Sequence, residues 1–561
     1  MDVSSRHQRY RALEEFALPD RAWPDRRLTA APRWLSTDLR DGNQALATPM
    51  DPARKLLLFE RLVAMGYQEI EVGFPAAGRD EYDFVRTLIE RDLIPPDVRI
   101  SVLVQARDEL IRRTAECLRG APAATVHLYN ATAPRFRDLV FRTGREGVKS
   151  LAVKGTRLVM KYAESLLEDC DLGYQYSPEL FNETEPDFAL EVCEAVMDEW
   201  QPGAGRGIIL NFPATVERSL PIGFADRIEW MDRNLSRREH VCLSVHPHND
   251  RGTAVSAAEF AVLAGAQRVE GCLFGGGERA GNVCLVTLGL NLYTQGVDPR
   301  IDFSDLSGTQ EIVEYCTGMQ VPDRHPYAGS LVYTAFSGSH QDAIKKGFDE
   351  LHDRAESEGT TTHDLPWNLP YLPLDPRDVG RDYAAVVRIT SQSGKGGVGY
   401  VLATRHGFNP PRELRTEFAA VVQAEADESG AELDPGRVGE LFSRVYLDPG
   451  LPPRSTSPGA DPVAVRLYLE GVDLHTGGSA RLGRQLAELG FEVREQHLIT
   501  ASRPGWARPT AYAACSFPAG LFWGAGTGPD PRSAAEAAVR AAAARAEQYT
   551  AEQCATEEIH R

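Results

Sequence analysis

At 561 residues the chain is long enough for roughly two to four domains with ample core. Its 42% hydrophobic and 25% charged content is ordinary for a globular protein, and the net charge of −19 excludes the broad basic face that a nucleic-acid binder needs. Nine scattered cysteines, none in a Cys-x-x-Cys pair, point to reduced thiols; with no apolar leader or membrane-length run, the expectation is a cytoplasmic protein without membrane or nucleic-acid partners.

Residues 1–30 read as an N-terminal arm. From 31 to 305 one pattern repeats: a short apolar run, a polar loop, then an amphipathic stretch. The predicted strands are Arg33–Thr37, Glu69–Gly73, Arg99–Leu103, Thr125–Leu128, Gly173–Tyr176, Gly207–Phe212, Val241–Val245 and Arg268–Leu273. Helices are expected at Pro52–Met65, Glu81–Arg91, Val148–Leu167, Pro186–Glu199, Ile222–Leu235 and Thr253–Ala264. Strands alternating with helices imply parallel βαβ units, and about eight of them over this length predict a (β/α)8 TIM barrel, with an open doubly wound sheet as runner-up. Residues 306–446 read as helical linker subdomains and 447–462 as a Pro/Gly-rich linker. Residues 463–561 read as a small C-terminal α/β domain, with strands at Val463–Leu469 and Tyr512–Phe517 and helices at Ala480–Leu489 and Ser533–Tyr549.

A barrel places its chemistry just beyond the strands, at one end. Polar groups gather there: Arg40 and Asp41 after the first strand, Gln105 after the third, and His127 and Asn130 at the fourth. Ser177 and Glu179 lie at the fifth, Thr215 beyond the sixth, and Gly275–Asn282 after the eighth. The sharpest signal is His246-Pro247-His248 closing the seventh. Residues i and i+2 of a strand face the same way, so both imidazoles can grip one ion, with Asp41 as third ligand. The alternative is a His-x-His that merely caps its strand. Alternatives also stand for Thr215 as a helix cap, Pro213 as a strand breaker and His127 as a satisfied core histidine. Gly275-Gly276-Gly277-Glu278-Arg279-Ala280 imitates a dinucleotide fingerprint, but it closes a barrel instead of opening a βαβ unit.

Together these segments resemble the 2-isopropylmalate synthases, acetyl-CoA-dependent Claisen-condensing acyltransferases of a metal-dependent barrel superfamily. The resemblance rests on Asp38–Gln44, Glu69–Pro75, Val126–Asn130, Tyr176–Glu179, Leu210–Glu217 and His246–Gly252, with Phe336–Asp342 and Ser391–Gly397 fitting the long form. It implies a divalent metal on Asp41, His246 and His248, with Asn282 as ligand or near neighbour; Mg2+ is the expected ion, Mn2+ or Zn2+ the alternatives. Arg40 would stabilise an alkoxide, and Glu179 would sit by the substrate. Gln44, His127, Ser177, Asn211, Pro213 and Thr215 would bind the 2-oxo acid. Gly275, Gly277 and Asn282 would contact acetyl-CoA. His340, Tyr371 and Glu278 are the candidates for the general base, the first two supplied across a homodimer. The implied reaction joins acetyl-CoA to 3-methyl-2-oxobutanoate, the first committed step of leucine biosynthesis. The alternative is a paralogue using another 2-oxo acid in a specialised pathway. The resemblance also implies that the C-terminal α/β domain is of regulatory type. Departures from the family pattern are Gly276 and Ala280 in the Gly-rich loop, Val104 before Gln105, and His497–Pro504, which stands where relatives carry the leucine-binding loop.

Overall fold

A computed structural model describes residues 7–10, 16–335, 337–381, 395–429, 433–447, 464–470, 478–487, 491–499 and 509–559. The chain divides into two compact units, Met1–Val332 with Asp378–Gly380, and Tyr333–Arg377 with Arg381–Arg561.

The first unit is a closed barrel of eight strands in sequential order. They are β1 (Arg33–Ser36), β2 (Glu69–Gly73), β3 (Arg99–Gln105), β4 (Ala123–Ala131), β5 (Asp171–Glu179), β6 (Ile208–Ala214), β7 (Val241–Pro247) and β8 (Arg268–Gly271). All pair in parallel, and β1 closes on β8 with Arg33 opposite Arg268. Helices separate the strands because the sequence supplies starts for them. Asp51 accepts a hydrogen bond from the Arg54 amide and caps Pro52–Ala64, and proline opens Pro186–Trp200 and Pro221–Asn234. Leu58, Phe59 and Leu62 on the first helix are buried, as are Ile70 and Val72 on β2. A helix at Asp108–Cys117 was not among those expected; its mean hydropathy is low, and only Ile111, Thr114, Ala115 and Cys117 are buried. The N-terminal arm is fastened by buried polar groups: Trp23 Nε1 donates to Asp226 and the Ala22 amide to Glu229.

Two boundaries differ from expectation and matter for chemistry. β4 and β5 run several residues further, so Asn130, Ser177 and Glu179 lie within strands instead of loops, as His127 was expected to. Pro213 does not break β6: it stays in register opposite His246. The barrel interior departs from the usual layers of branched apolar side chains. Its fully buried members include Glu71, Gln175, Ser244, Arg268 and Glu270.

The second unit holds the helices Gly338–Glu358, Lys395–Val401, Arg412–Ser429 and Pro435–Phe442. It also holds a four-stranded sheet in the order β10-β9-β11-β12, made of β9 (Ala464–Glu470), β10 (Val493–Ile499), β11 (Thr510–Phe517) and β12 (Gly520–Thr527). The helix Pro531–Ile559 covers the sheet; a Cβ on Gly526 would strike the Ala534 carbonyl and lie 2.5 Å from the Ala538 nitrogen, so glycine sets this close approach. Most of the expected linker (448–462), Ser391–Gly394 and residues 500–504 of the departing loop lie outside the described residues. Among the described residues no helix is long and apolar enough to cross a membrane.

Candidate metal centre and active site

A π-helical turn, Asp38–Gly42, follows β1 and is tied down by Thr37 N–H to the Gly271 carbonyl and by Leu273 N–H to Asp38. This turn aims Asp41 at the end of β7. His246 Nε2 lies 3.5 Å and His248 Nε2 3.7 Å from Asp41 Oδ2. One ligand atom from each of the three buried residues falls within 4.8 Å of the others. The chain leaving β8 bends back so that the Asn249 amide donates to the Gly281 carbonyl and Val283 N–H to that of Pro247. Asn282 thereby donates from Nδ2 to Asp41 Oδ2 at 2.7 Å.

Charge is concentrated around the triad. Burial opposes ionisation of Asp41, yet the Arg40 guanidinium and the hydrogen bond to His246 hold its carboxyl well below the usual range. Burial also disfavours the His246 cation, but its bonds to Asp41 and Glu270 raise its pKa to about 9. Burial and the charge of His246 lower His248 to about 4.

Arg40 leads into a second set of bonds. Its Nε donates to Glu71 Oε2 at 2.5 Å, and Glu71 Oε1 meets His127 Nδ1 at 2.7 Å. His127 Nε2 pairs with Ser177 Oγ at 2.7 Å, and that oxygen accepts from Asn211 Nδ2 at 2.9 Å. With Glu71 ionised, Nδ1 carries the imidazole proton and the Ser177 hydroxyl donates to Nε2. Three expected substrate residues thus share one chain anchored on a carboxylate.

Whether a divalent ion fits can be judged from what the residues lack. His248 Nδ1, Asn211 Oδ1 and Asn282 Oδ1 are buried with no hydrogen-bond partner among the described residues, which buried polar atoms seldom tolerate. The connected network holds four carboxylates, Asp41, Glu69, Glu71 and Glu270, against three guanidinium groups, Arg33, Arg40 and Arg268. Two imidazoles and one carboxylate, in a network that is left net negative once His246 gives up its proton to bind an ion, suit a divalent cation.

Comparison with known proteins agrees with this geometry. Residues 31–313 match the HMGL-like family, and residues 330–403 match the alpha-isopropylmalate synthase post-catalytic domain-like family. A 2-isopropylmalate synthase from Streptosporangium roseum is 61% identical over 546 residues, covering 96% of this chain and 94% of its own. Those from Thermobifida fusca (55% over 556 residues, 96% and 98% covered) and Cupriavidus taiwanensis (52% over 506 residues, 88% and 87% covered) are similar along comparable lengths. The chain belongs to the 2-isopropylmalate synthase family. It is an acyltransferase of the HMGL-like, divalent-metal-dependent class, with a candidate metal site at Asp41, His246 and His248.

The remaining expected residues of this synthase are less closely gathered. Glu179 ends β5, where burial pushes its carboxyl pKa up and the Arg40 charge offsets part of the rise. Thr215 caps no helix; its hydroxyl accepts from the Leu180 amide at 3.0 Å and ties the β6 loop to the β5 loop. Gln105 donates to the Tyr129 hydroxyl at 2.9 Å. Gln44 and Glu278 are both exposed. Gly275 and Gly277 have φ of +80° and +128°, and a side chain on Gly277 would collide with Asn282, so the loop requires glycine there. His340 and Tyr371 belong to the second unit, exposed and stacked on one another with ring centroids 3.9 Å apart.

Glu71, Glu270, Arg268 and Gln175 were not singled out from the sequence. A signal was present: Glu69-Ile70-Glu71 and Arg268-Val269-Glu270 put charges at alternate positions of otherwise apolar strands, on one face.

Proposed function

We propose that this chain condenses acetyl-CoA with 3-methyl-2-oxobutanoate to give 2-isopropylmalate and CoA, the committed step toward leucine. The observation that carries the reading is the convergence of Asp41, His246 and His248 beside the part-buried Arg40. A divalent ion held by those three ligands, Mg2+ by expectation with Mn2+ or Zn2+ as alternatives, supplies Lewis-acid polarisation of the ketone and a grip on the 2-oxo acid.

The chain's own residues do the rest. A base takes one proton from the thioester methyl, and the resulting carbon nucleophile attacks C2 of the 2-oxo acid. The ketone electron pair moves onto oxygen, where the permanently charged Arg40, oriented by Glu71, meets it. Water then cleaves the thioester, releasing CoA and a carboxylate. Asn211 and the Ser177–His127 pair hold the substrate's polar end, with Pro213, Thr215 and Gln44 shaping the pocket. The loop of Gly275 and Gly277 would border acetyl-CoA, and Asn282 steadies Asp41. Glu179, whose carboxyl pKa burial pushes up, is the carboxyl we place beside the substrate to exchange a proton with it. We assign the methyl proton to the His340–Tyr371 pair of a second copy in a homodimer, with Glu278 as the alternative base.

CoA release with 3-methyl-2-oxobutanoate, followed by a thiol reagent, tests the reaction. Turnover on that acid is expected to exceed turnover on other 2-oxo acids; a preference for a different acid moves the chain to a specialised pathway. Mixing Asp41→Asn and His340→Ala homodimers, each inactive, is expected to restore part of the activity. No recovery after subunit exchange would refute the shared site.

A further inference from the structure

The two candidate histidine ligands are not supported alike. His248 Nδ1 is buried without a partner among the described residues. His246 Nδ1, by contrast, lies 3.0 Å from Glu270 Oε2. Glu270 is fully buried, and three donors converge on its other oxygen: Arg268 Nη1 at 2.7 Å, Gln175 Nε2 at 2.7 Å and Ser244 Oγ at 3.1 Å. Such a carboxylate is committed as an acceptor, so the imidazole must donate to it. Nδ1 therefore keeps its proton, and it is Nε2, the nitrogen facing Asp41, that sheds a proton and offers its lone pair when an ion binds.

The support continues down the barrel axis. Arg268 Nε donates to Glu69 Oε2 at 2.8 Å, and Glu69 Oε1 accepts from the half-exposed Arg33 at 2.7 Å. Gln175 bridges Arg268 and Glu270 with both ends of its amide. Acid and base alternate from solvent at the N-terminal rim to the candidate metal ligand.

From this we infer that Glu270, fixed by Arg268, is a positioning residue: it locks His246 in the tautomer and ring orientation that leave Nε2 free to bind the divalent ion. The inference rests on the metal reading of Asp41, His246 and His248. It makes His246 the pre-set ligand and gives the buried charges of β8 a purpose beyond stability. A carboxylate behind a ligating histidine raises its basicity and cuts its freedom to turn, and loss of such a group weakens metal binding by about 10–100-fold.

The test is Mn2+ binding to the metal-free full chain, followed by electron paramagnetic resonance without substrate. Two variants separate positioning from mere charge balance. Glu270→Gln removes the charge, whereas Glu270→Asp keeps a charge opposite Arg268 but withdraws it from Nδ1 by one methylene. The expected result is a Kd for Mn2+ weakened by about 10–100-fold in Glu270→Asp, with circular dichroism unchanged. The same loss is expected in Glu270→Gln; should that variant fail to fold, Glu270→Asp alone decides. Wild-type affinity in folded Glu270→Asp overturns the inference while leaving the metal reading intact. Wild-type protein that takes up no Mn2+ overturns both.

Discussion

Replacing Glu71 with Gln keeps the shape of the side chain and removes its charge, which isolates what that charge does for Arg40. The carboxylate is fully buried and accepts from Arg40 Nε and His127 Nδ1. Two unit charges about 4 Å apart attract by roughly 4 kcal/mol at an effective dielectric of about 20. Removing one partner of a buried pair destabilises by about 3–5 kcal/mol, because the other charge stays buried. Arg40 would retain Asp41, 3.0 Å from its Nη1, as its remaining bonded carboxylate. The guanidinium is then drawn toward the metal ligand and away from the position of the developing alkoxide. Loss of one such oriented charge costs about 10²–10³ in kcat. We therefore expect Glu71→Gln to fold with a thermal midpoint several degrees lower and kcat for CoA release down by about 10²–10³. Mn2+ should also bind more weakly, through competition for Asp41. A variant with kcat within about threefold of wild type would refute the view that Glu71 orients Arg40.

Three further outcomes can be checked. Burial raises the Asp38 carboxyl from 3.8 to about 7 despite its bonds to Ser36 and Leu273. The folded chain therefore binds a proton between these values that the unfolded chain has lost, and stability falls as pH rises through that window. Asp38→Asn should remove the slope, gaining at most about 4 kcal/mol relative to wild type between pH 4 and pH 8; an unchanged slope in thermal melts at the two pH values would count against this. Chelation should abolish CoA release, and Mn2+ at about 100 times its Kd should restore activity with about 2.7 kcal/mol of stability; activity that survives exhaustive chelation contradicts the metal centre. Gly526→Val should force the helix Pro531–Ile559 off β12. Limited proteolysis would then show early cleavage after residue 463, and unchanged resistance would mean the sheet tolerates the side chain.

The barrel was legible because its pattern is local. Alternating apolar runs and amphipathic stretches of eight regular units leave little choice of architecture once parallel strands must be joined by helices. The same holds for the triad, since His-x-His on a strand is a two-residue rule and Asp41 follows a strand end. The C-terminal sheet was half legible. β10 reads Val-Arg-Glu-Gln-His-Leu-Ile, an exposed edge without an apolar face, and β12 is rich in glycine, which weakens a strand signal.

Only tertiary structure decided who supports whom inside the barrel. Glu71 and Arg40 are 31 positions apart, Gln175 and Glu270 are 95, and Arg268 and Glu69 are 199. No local periodicity links residues so distant; closing β8 onto β1 and pointing alternate side chains inward does. By itself the sequence determined the eight-unit barrel, the family and the residues able to hold a metal. The fold determined that Thr215 ties loops instead of capping a helix, that His127, Ser177 and Asn211 share one hydrogen-bonded chain, and that His246 but not His248 rests on a buried carboxylate. The physical reason is that a charge can be buried only where distant strands bring it a partner.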